Sequence, residues 1–219
     1  MTELTPRTTK ELCDLAKQYY NPDVPYHNWS HAEEVMGNMA VIVRDYFGGK
    51  NDSARSKRID LNLGFVAAAH HDNGHDHAEA DNFPSKEHYS VALMRRALEG
   101  KVSPEQLDEL ERIILGTRFG VPRTSDLELI LHYADVWNMA SDYNDFFGHS
   151  LKLWDEYGKP RWTDFQANSQ RVISATIAES LRSGDFCSRT ATLGADPYHF
   201  PVRATRNLER FMQEPEPSL

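Results

Sequence analysis

A stretch of chain that is apolar on every side of a helix belongs inside a protein. Here such a stretch runs straight into three titratable residues. Phe65-Val66-Ala67-Ala68-Ala69 is the longest apolar run, and it continues as His70-His71-Asp72. The spacing predicts a helix from about Ser56 to His71 whose centre lies deep in a core. The fold must then bring histidines and an aspartate to the edge of its own interior.

Start and stop signals place further helices on both sides. Thr8 with Glu11 reads as a capping box opening a helix to about Tyr20. Asn21-Pro22-Asp23 and Pro25 break it. Ser30 with Glu33 reads as a second box, for a helix to about Phe47 that Gly48-Gly49 ends. Beyond the buried helix, Asp72 to Pro84 reads as a polar loop with Gly74 as its most flexible point. Ser85 caps a helix ending near Gly100. Ser103-Pro104 with Gln106 opens the next. Ser125 with Glu128 opens one reaching about Ala140. Helices are also predicted over Asp142–Tyr157, Thr163–Leu181 and Arg203–Met212. The segment 184–201 reads as a loop, and Glu214–Leu219 as a disordered tail. No strand alternation, repeat or linker interrupts the series. The expected fold is all-α, a single compact helical bundle over 1–213.

The chain of 219 residues is long enough for a sizeable core. Its formal charge of -9 disfavours a nucleic-acid partner. An anionic substrate would need a local positive centre, which a bound cation supplies. Cys13 and Cys187 form no CxxC pair, which fits a reducing compartment. Met1 to Lys10 has no apolar core of a signal peptide, and no run approaches the roughly 18 apolar residues of a membrane span. The expectation is a soluble, cytoplasmic protein with a small-molecule partner and no membrane partner. A homo-oligomer is compatible with the sequence.

Three separated pieces carry the chemistry: Tyr26-His27-Asn28-Trp29-Ser30-His31, His70 to Asp76, and Ala134-Asp135. His31 opens a face continued by Val35, Met39, Ile42 and Tyr46. It is either a core histidine with a satisfied hydrogen bond or a ligand. Asp135 shares a face with Leu127, Leu131, Ala134 and Asn138, so it is either half of a buried salt bridge or a metal ligand. His71 and Asp72 end their helix, where the last turn can splay both toward one point. Alternatively they are a polar helix end, with His75, Asp76 and His77 simply solvated. Taken together, His31, His71, Asp72 and Asp135 make a nitrogen/oxygen donor set suited to a divalent metal such as Zn, Mn, Fe, Co or Ni.

These pieces resemble the HD superfamily of metal-dependent phosphohydrolases, whose motif is H…HD…D. The Tyr26-His27-Asn28 string before His31 is also similar to the metal-site segment of cyclic-nucleotide phosphodiesterases. In those enzymes, too, a histidine follows the HD aspartate by three residues, as His75 does. The wider resemblance, from about Tyr19 to Phe211, is to small bacterial predicted HD phosphohydrolases. It includes Glu87, Ser90, Ile113 to Thr117 and Arg203 to Leu208.

The resemblance implies hydrolysis of a phosphoester or phosphoanhydride of a small molecule, a nucleotide first of all, by metal-activated water. The metal could also be Mg. It further implies Asp72 as a catalytic ligand and His27 as general acid, unless His27 is structural. Candidate substrate contacts are Arg118, Lys86, His75 and Glu87, with Arg123 and Arg95 as further cations. Thr117 stands where binuclear members often carry histidine, which counts against a full second metal site. His75-Asp76 stands where guanosine-tetraphosphate hydrolases carry an acidic pair. Two alternatives stay open. One is an HD-type diiron oxygenase using His75, His77 or His88. The other is a phosphate-binding HD protein without turnover.

Overall fold

The structure, a computed structural model, describes residues 4–44, 59–182 and 200–218. Among the described residues there are nine α-helices and no strand, so the protein is all-α. They are α1 (Pro6–Asp14), α2 (Trp29–Ile42), α3 (Leu61–His70), α4 (Lys86–Leu98), α5 (Pro104–Leu115), α6 (Asp126–Asp135), α7 (Tyr143–Glu156), α8 (Trp162–Arg182) and α9 (Phe200–Phe211). No helix among them is long and apolar enough to cross a membrane. The chain's internal contacts gather into two compact units, Met1–Asp135 and Val136–Leu219.

In the first unit α3 is the central helix, packed against α1, α2, α4, α5 and α6. Leu63, Val66, Ala67, Ala68 and Ala69 are all buried, as the apolar run requires. Gly64 marks the closest approach: a Cβ there would meet Met39 Cε of α2 at 2.8 Å and Leu127 Cδ2 of α6 at 3.0 Å. Around α3 three of the neighbours contribute a stripe at helical spacing: Val35, Met39 and Ile42 from α2, Leu110, Ile113 and Ile114 from α5, Ile130, Leu131 and Ala134 from α6. Burying each larger aliphatic side chain contributes roughly 1.5–3 kcal/mol, so this core sustains the unit.

The helix starts separate correct signals from decoys. Ser103 accepts from Gln106 N while the Gln106 side chain accepts from Ser103 N, the full capping box that the sequence predicts. Ser125 Oγ accepts from Glu128 N at 3.2 Å, and the Glu128 carboxylate takes Thr124 N at 2.7 Å. The first helix instead starts at Pro6, with Thr5 as its cap and Thr8 supplying the bonded amide. Proline at the first helical position is pre-set for this start, and Glu11 pairs with Arg7 instead. That helix stops at Asp14, and a 3-10 turn over Lys17–Tyr19 follows. α2 is capped by Asn28, not Ser30. Its predicted stop at Gly48-Gly49 lies outside the described residues, as do the start at Ser56 and most of the 184–201 loop.

In the second unit α9 packs on α7, α8 and the 3-10 turn Trp137–Ala140. Aromatic rings hold it together. Trp162 lies edge-on to Phe211 at 5.3 Å and to Trp154 at 5.4 Å, and Phe146 contacts Phe211 at 5.6 Å. Glu214, first residue of the predicted disordered tail, is held by Tyr143 Oη at 2.8 Å and Trp162 Nε1 at 3.0 Å.

Ser103→Ala should lower stability by about 1 kcal/mol through loss of the cap. Ile113→Ala should cost about 2–5 kcal/mol through the cavity left between α5 and α3. Urea denaturation of both variants measures the difference.

Candidate metal centre

Asn28 sets the position of the first histidine. Its side-chain oxygen accepts from Ser30 N at 2.9 Å, and its amide donates to Val24 O at 2.8 Å. The cap ties the incoming chain to the first turn of α2 and leaves His31 on the inner face, 5% exposed. The second histidine is set by the end of α3. His71 Nδ1 lies 2.7 Å from Ala68 O. A carbonyl only accepts, so Nδ1 carries the proton, and Nε2 is the nitrogen turned to the site. Asp72 follows in the turn, and Asp135 is the last residue of α6.

These four side chains converge. His31 Nε2 lies 3.1 Å from Asp135 Oδ1 and 3.6 Å from Asp72 Oδ2. His71 Nε2 lies 3.1 Å from Asp72 Oδ2 and 3.5 Å from Asp135 Oδ1. One donor atom from each residue falls within 4.8 Å of all the others, a group that could hold a metal ion. His71 Nε2 is fully buried and makes no well-aligned hydrogen bond despite its carboxylate neighbours. With Nδ1 protonated, a neutral His71 would aim a lone pair at two anions. Only a cation or a second proton relieves that arrangement.

The electrostatics agree. Burial alone would push both carboxyls up. For Asp72 the adjacent His71 ring, with help from His27 and His75, outweighs it and holds the group well below the usual carboxylate range. For Asp135 the hydrogen bond with His31 and the nearby His71 ring do the same. Burial pulls the His71 imidazole down, and the two aspartates overcome this and raise it well above its ordinary value. The site holds two anions and strongly favours a positive charge at the His71 nitrogen. A metal ion, if bound, would compete with a proton for that lone pair.

Aromatic rings line the site. Tyr26 sits against His31 at 4.7 Å, His31 against His71 at 5.4 Å, and His27 edge-on to His31 at 5.8 Å. His75 stacks on His27 at 3.8 Å. The sequence does not single out Tyr20, which is buried beside Asp72 and donates to Ala69 O at 3.1 Å. Only its depth in the fold gives Tyr20 that place, and no local pattern marks it.

The turn carrying Asp72 is held by a buried polar network. His70 Nε2 donates to Leu12 O at 3.2 Å, Asn73 Nδ2 donates to His70 Nδ1 at 2.6 Å, and Ser90 Oγ donates to Asn73 O at 3.1 Å. Gly74 N reaches Tyr19 O at 3.1 Å. Gly74 has φ 65, and a Cβ there would meet the Tyr89 ring at 2.8 Å and Leu93 Cδ1 at 2.9 Å. The glycine that the sequence marks as the loop's most flexible point is a tightly packed left-handed corner.

Of the predicted substrate contacts and further cations, His75 stacks on His27, and Lys86, Arg95 and Arg123 have partners of their own. Lys86 pairs with Asp81 at 3.2 Å on the surface, and Arg95 with Asp108 and Glu111. Arg123 donates to Gly116 O at 2.8 Å and to His132 Nδ1 at 2.8 Å. Arg118 lines a cavity of about 510 Å³ with Arg95, Arg112 and Glu128, whose lining includes none of the four clustered residues. Among the described residues no hydrogen bond or ion pair joins Lys86, Glu87 or Arg118 to the cluster. His77 lies against Tyr89, and His88 bonds Ser85 Oγ at 2.9 Å; neither belongs to the four-donor group.

Two predictions follow from this geometry. Gly74→Ala should cost about 1–2 kcal/mol from the left-handed backbone alone, and more as the Tyr89 and Leu93 contacts are displaced. Chemical denaturation reads the loss. His132 is the second case. Burial, aided by the Arg123 charge, lowers its pKa from 6.5 to about 4. Burial likewise lowers His70 to about 4. Below 6.5 the unfolded chain binds protons that the folded chain refuses, so stability falls as pH drops toward 4. Urea denaturation at about pH 7 and about pH 5 should show that slope, and His132→Gln should remove part of it.

The chain was compared with protein-family models and with curated proteins, and no family model and no curated protein matches it.

Proposed function

We propose that His31, His71, Asp72 and Asp135 hold one divalent metal ion, and that the chain is a metal-dependent phosphohydrolase of the HD type. Its substrate would be a phosphoester or phosphoanhydride of a small molecule, a nucleotide first of all. The observation that carries this reading is the meeting of four donor atoms within 4.8 Å, one of them the buried His71 nitrogen without a hydrogen bond. Two nitrogens and two oxygens are a donor set for Mn, Fe, Co, Ni or Zn rather than for an all-oxygen Mg or Ca cage.

When bound, such a cation lowers the pKa of a coordinated water toward about 7 and offsets charge on a phosphoryl oxygen. The chain's own residues supply the rest. Asp72 and Asp135 stay ionised and so remain available as ligands. The His71 ring is held in one tautomer by Ala68 O, which spares the reorganisation that binding would otherwise cost. His27 stands against His31 and bears electrostatically on Asp72. It is the general acid in this reading, since imidazole is the side chain that gains and loses protons near neutral pH. With a formal charge of -9 the chain as a whole repels phosphates, so the local cation is what makes an anionic substrate acceptable.

The test begins with metal analysis of the purified protein, followed by a nucleotide and phosphoester panel with that metal added. Asp72→Ala should abolish metal binding and hydrolysis together. His27→Ala should keep the metal and slow turnover about 10²–10⁴-fold. A metal-loaded protein inactive across the panel would overturn the hydrolase reading, and a metal content unchanged by Asp72→Ala would overturn the ligand set.

A further inference from the structure

We propose that His75 is a positioning residue for His27: its ring, stacked face to face on the His27 ring, fixes the plane in which His27 stands beside the four-donor group. The proposal rests on the phosphohydrolase reading for its catalytic consequence, though not for the geometry itself.

His27 lies before the first turn of α2, outside any helix. The χ2 torsion of an imidazole is broad and gives little preference of its own. The backbone at this point is fixed, since Asn28 caps α2 and its N–H returns to Tyr26 O at 2.8 Å. Two neighbouring rings bear on its plane. Tyr26 meets it edge-on at 4.8 Å and 83°, and His75 covers it at 3.8 Å with the planes 18° apart.

His75 is well placed for this. Its own N–H donates to Asp72 O at 3.1 Å, and His77 N closes on Gly74 O at 2.9 Å. The left-handed Gly74 turns the chain just before it. His75 is therefore rigidly joined to the turn that carries Asp72, so the stack transmits the position of that turn to His27. Both rings also bear electrostatically on Asp72. A general acid displaced by about 1 Å loses on the order of 10²-fold in rate, which makes the orientation worth fixing.

Two substitutions separate stacking from proton chemistry at His75 itself. His75→Phe keeps a flat ring and removes both nitrogens. His75→Ala removes the ring. In zinc-loaded protein with labelled histidines, the His27 ring resonances, assigned with His27→Ala, should lose their ring-current shift in His75→Ala and keep it in His75→Phe. On whichever panel substrate the parent hydrolyses, His75→Ala should lower kcat about 10- to 100-fold with KM little changed. His75→Phe should stay near the parent, and both should bind zinc as the parent does. If His75→Ala does not fold, His75→Leu, apolar but unstacked, replaces it. Unmoved His27 resonances in the unstacked variant, or a phenylalanine variant as slow as the alanine one, overturn the proposal. A parent that binds no metal and hydrolyses nothing overturns the phosphohydrolase reading instead, and the resonances alone then decide whether His75 holds His27.

Discussion

The hydrogen bond from His71 Nδ1 to the Ala68 carbonyl joins the fold to the four-donor group. It satisfies a carbonyl at the end of the most buried helix, which would otherwise be stranded away from water. In doing so it spends one ring nitrogen and leaves the other facing Asp72 and Asp135. The depth of α3 is what makes this consequential. In solvent, water would solvate a free imidazole nitrogen near two carboxylates. Inside the helical unit, charge must be matched by charge.

The layer behind the cluster serves the same constraint. His70 is neutral and fully hydrogen-bonded, to Leu12 O on one side and to Asn73 on the other. Adjacent residues of one helix end therefore have opposite fates. His70 points back into the core and is pushed toward neutrality by burial. His71 points at the aspartates and is pulled toward positive charge. Tyr20, Ser90 and Gly74 close the turn around them, each held by a backbone carbonyl or backing onto a packed ring. The arrangement exchanges local stability for a fixed donor set, since each buried polar group must be satisfied separately.

Several elements were legible in the residues alone. The apolar run of α3 forced its burial, and the Ser103 and Ser125 boxes named their helix starts because capping is a local matter of three or four residues. Where two caps competed, local pattern was not enough. Ser30 and Glu33 have the form of a box, but Asn28 reaches back to Val24 and forward to Ser30 at once and so takes the cap. Thr8 lost to Thr5 because Pro6 was already shaped for a first helical position. The cations suggested as phosphate contacts were the least legible. Arg95, Arg123 and Lys86 found partners on neighbouring helices and loops, a choice no single-sequence pattern records.

By itself the sequence determined that the chain is helical, that its longest apolar run lies deep in a core, and that this run ends on His70-His71-Asp72. Those properties depend on neighbours within a few positions. Tertiary structure alone decided that His31 and Asp135, 104 positions apart, would meet at 3.1 Å. It also decided that His75 would lie flat on His27 and that Arg118 would line a cavity to which none of the four clustered residues contributes. The physical reason is that helix formation follows from local spacing, whereas the direction in which a side chain meets a distant one follows from how whole helices pack around α3.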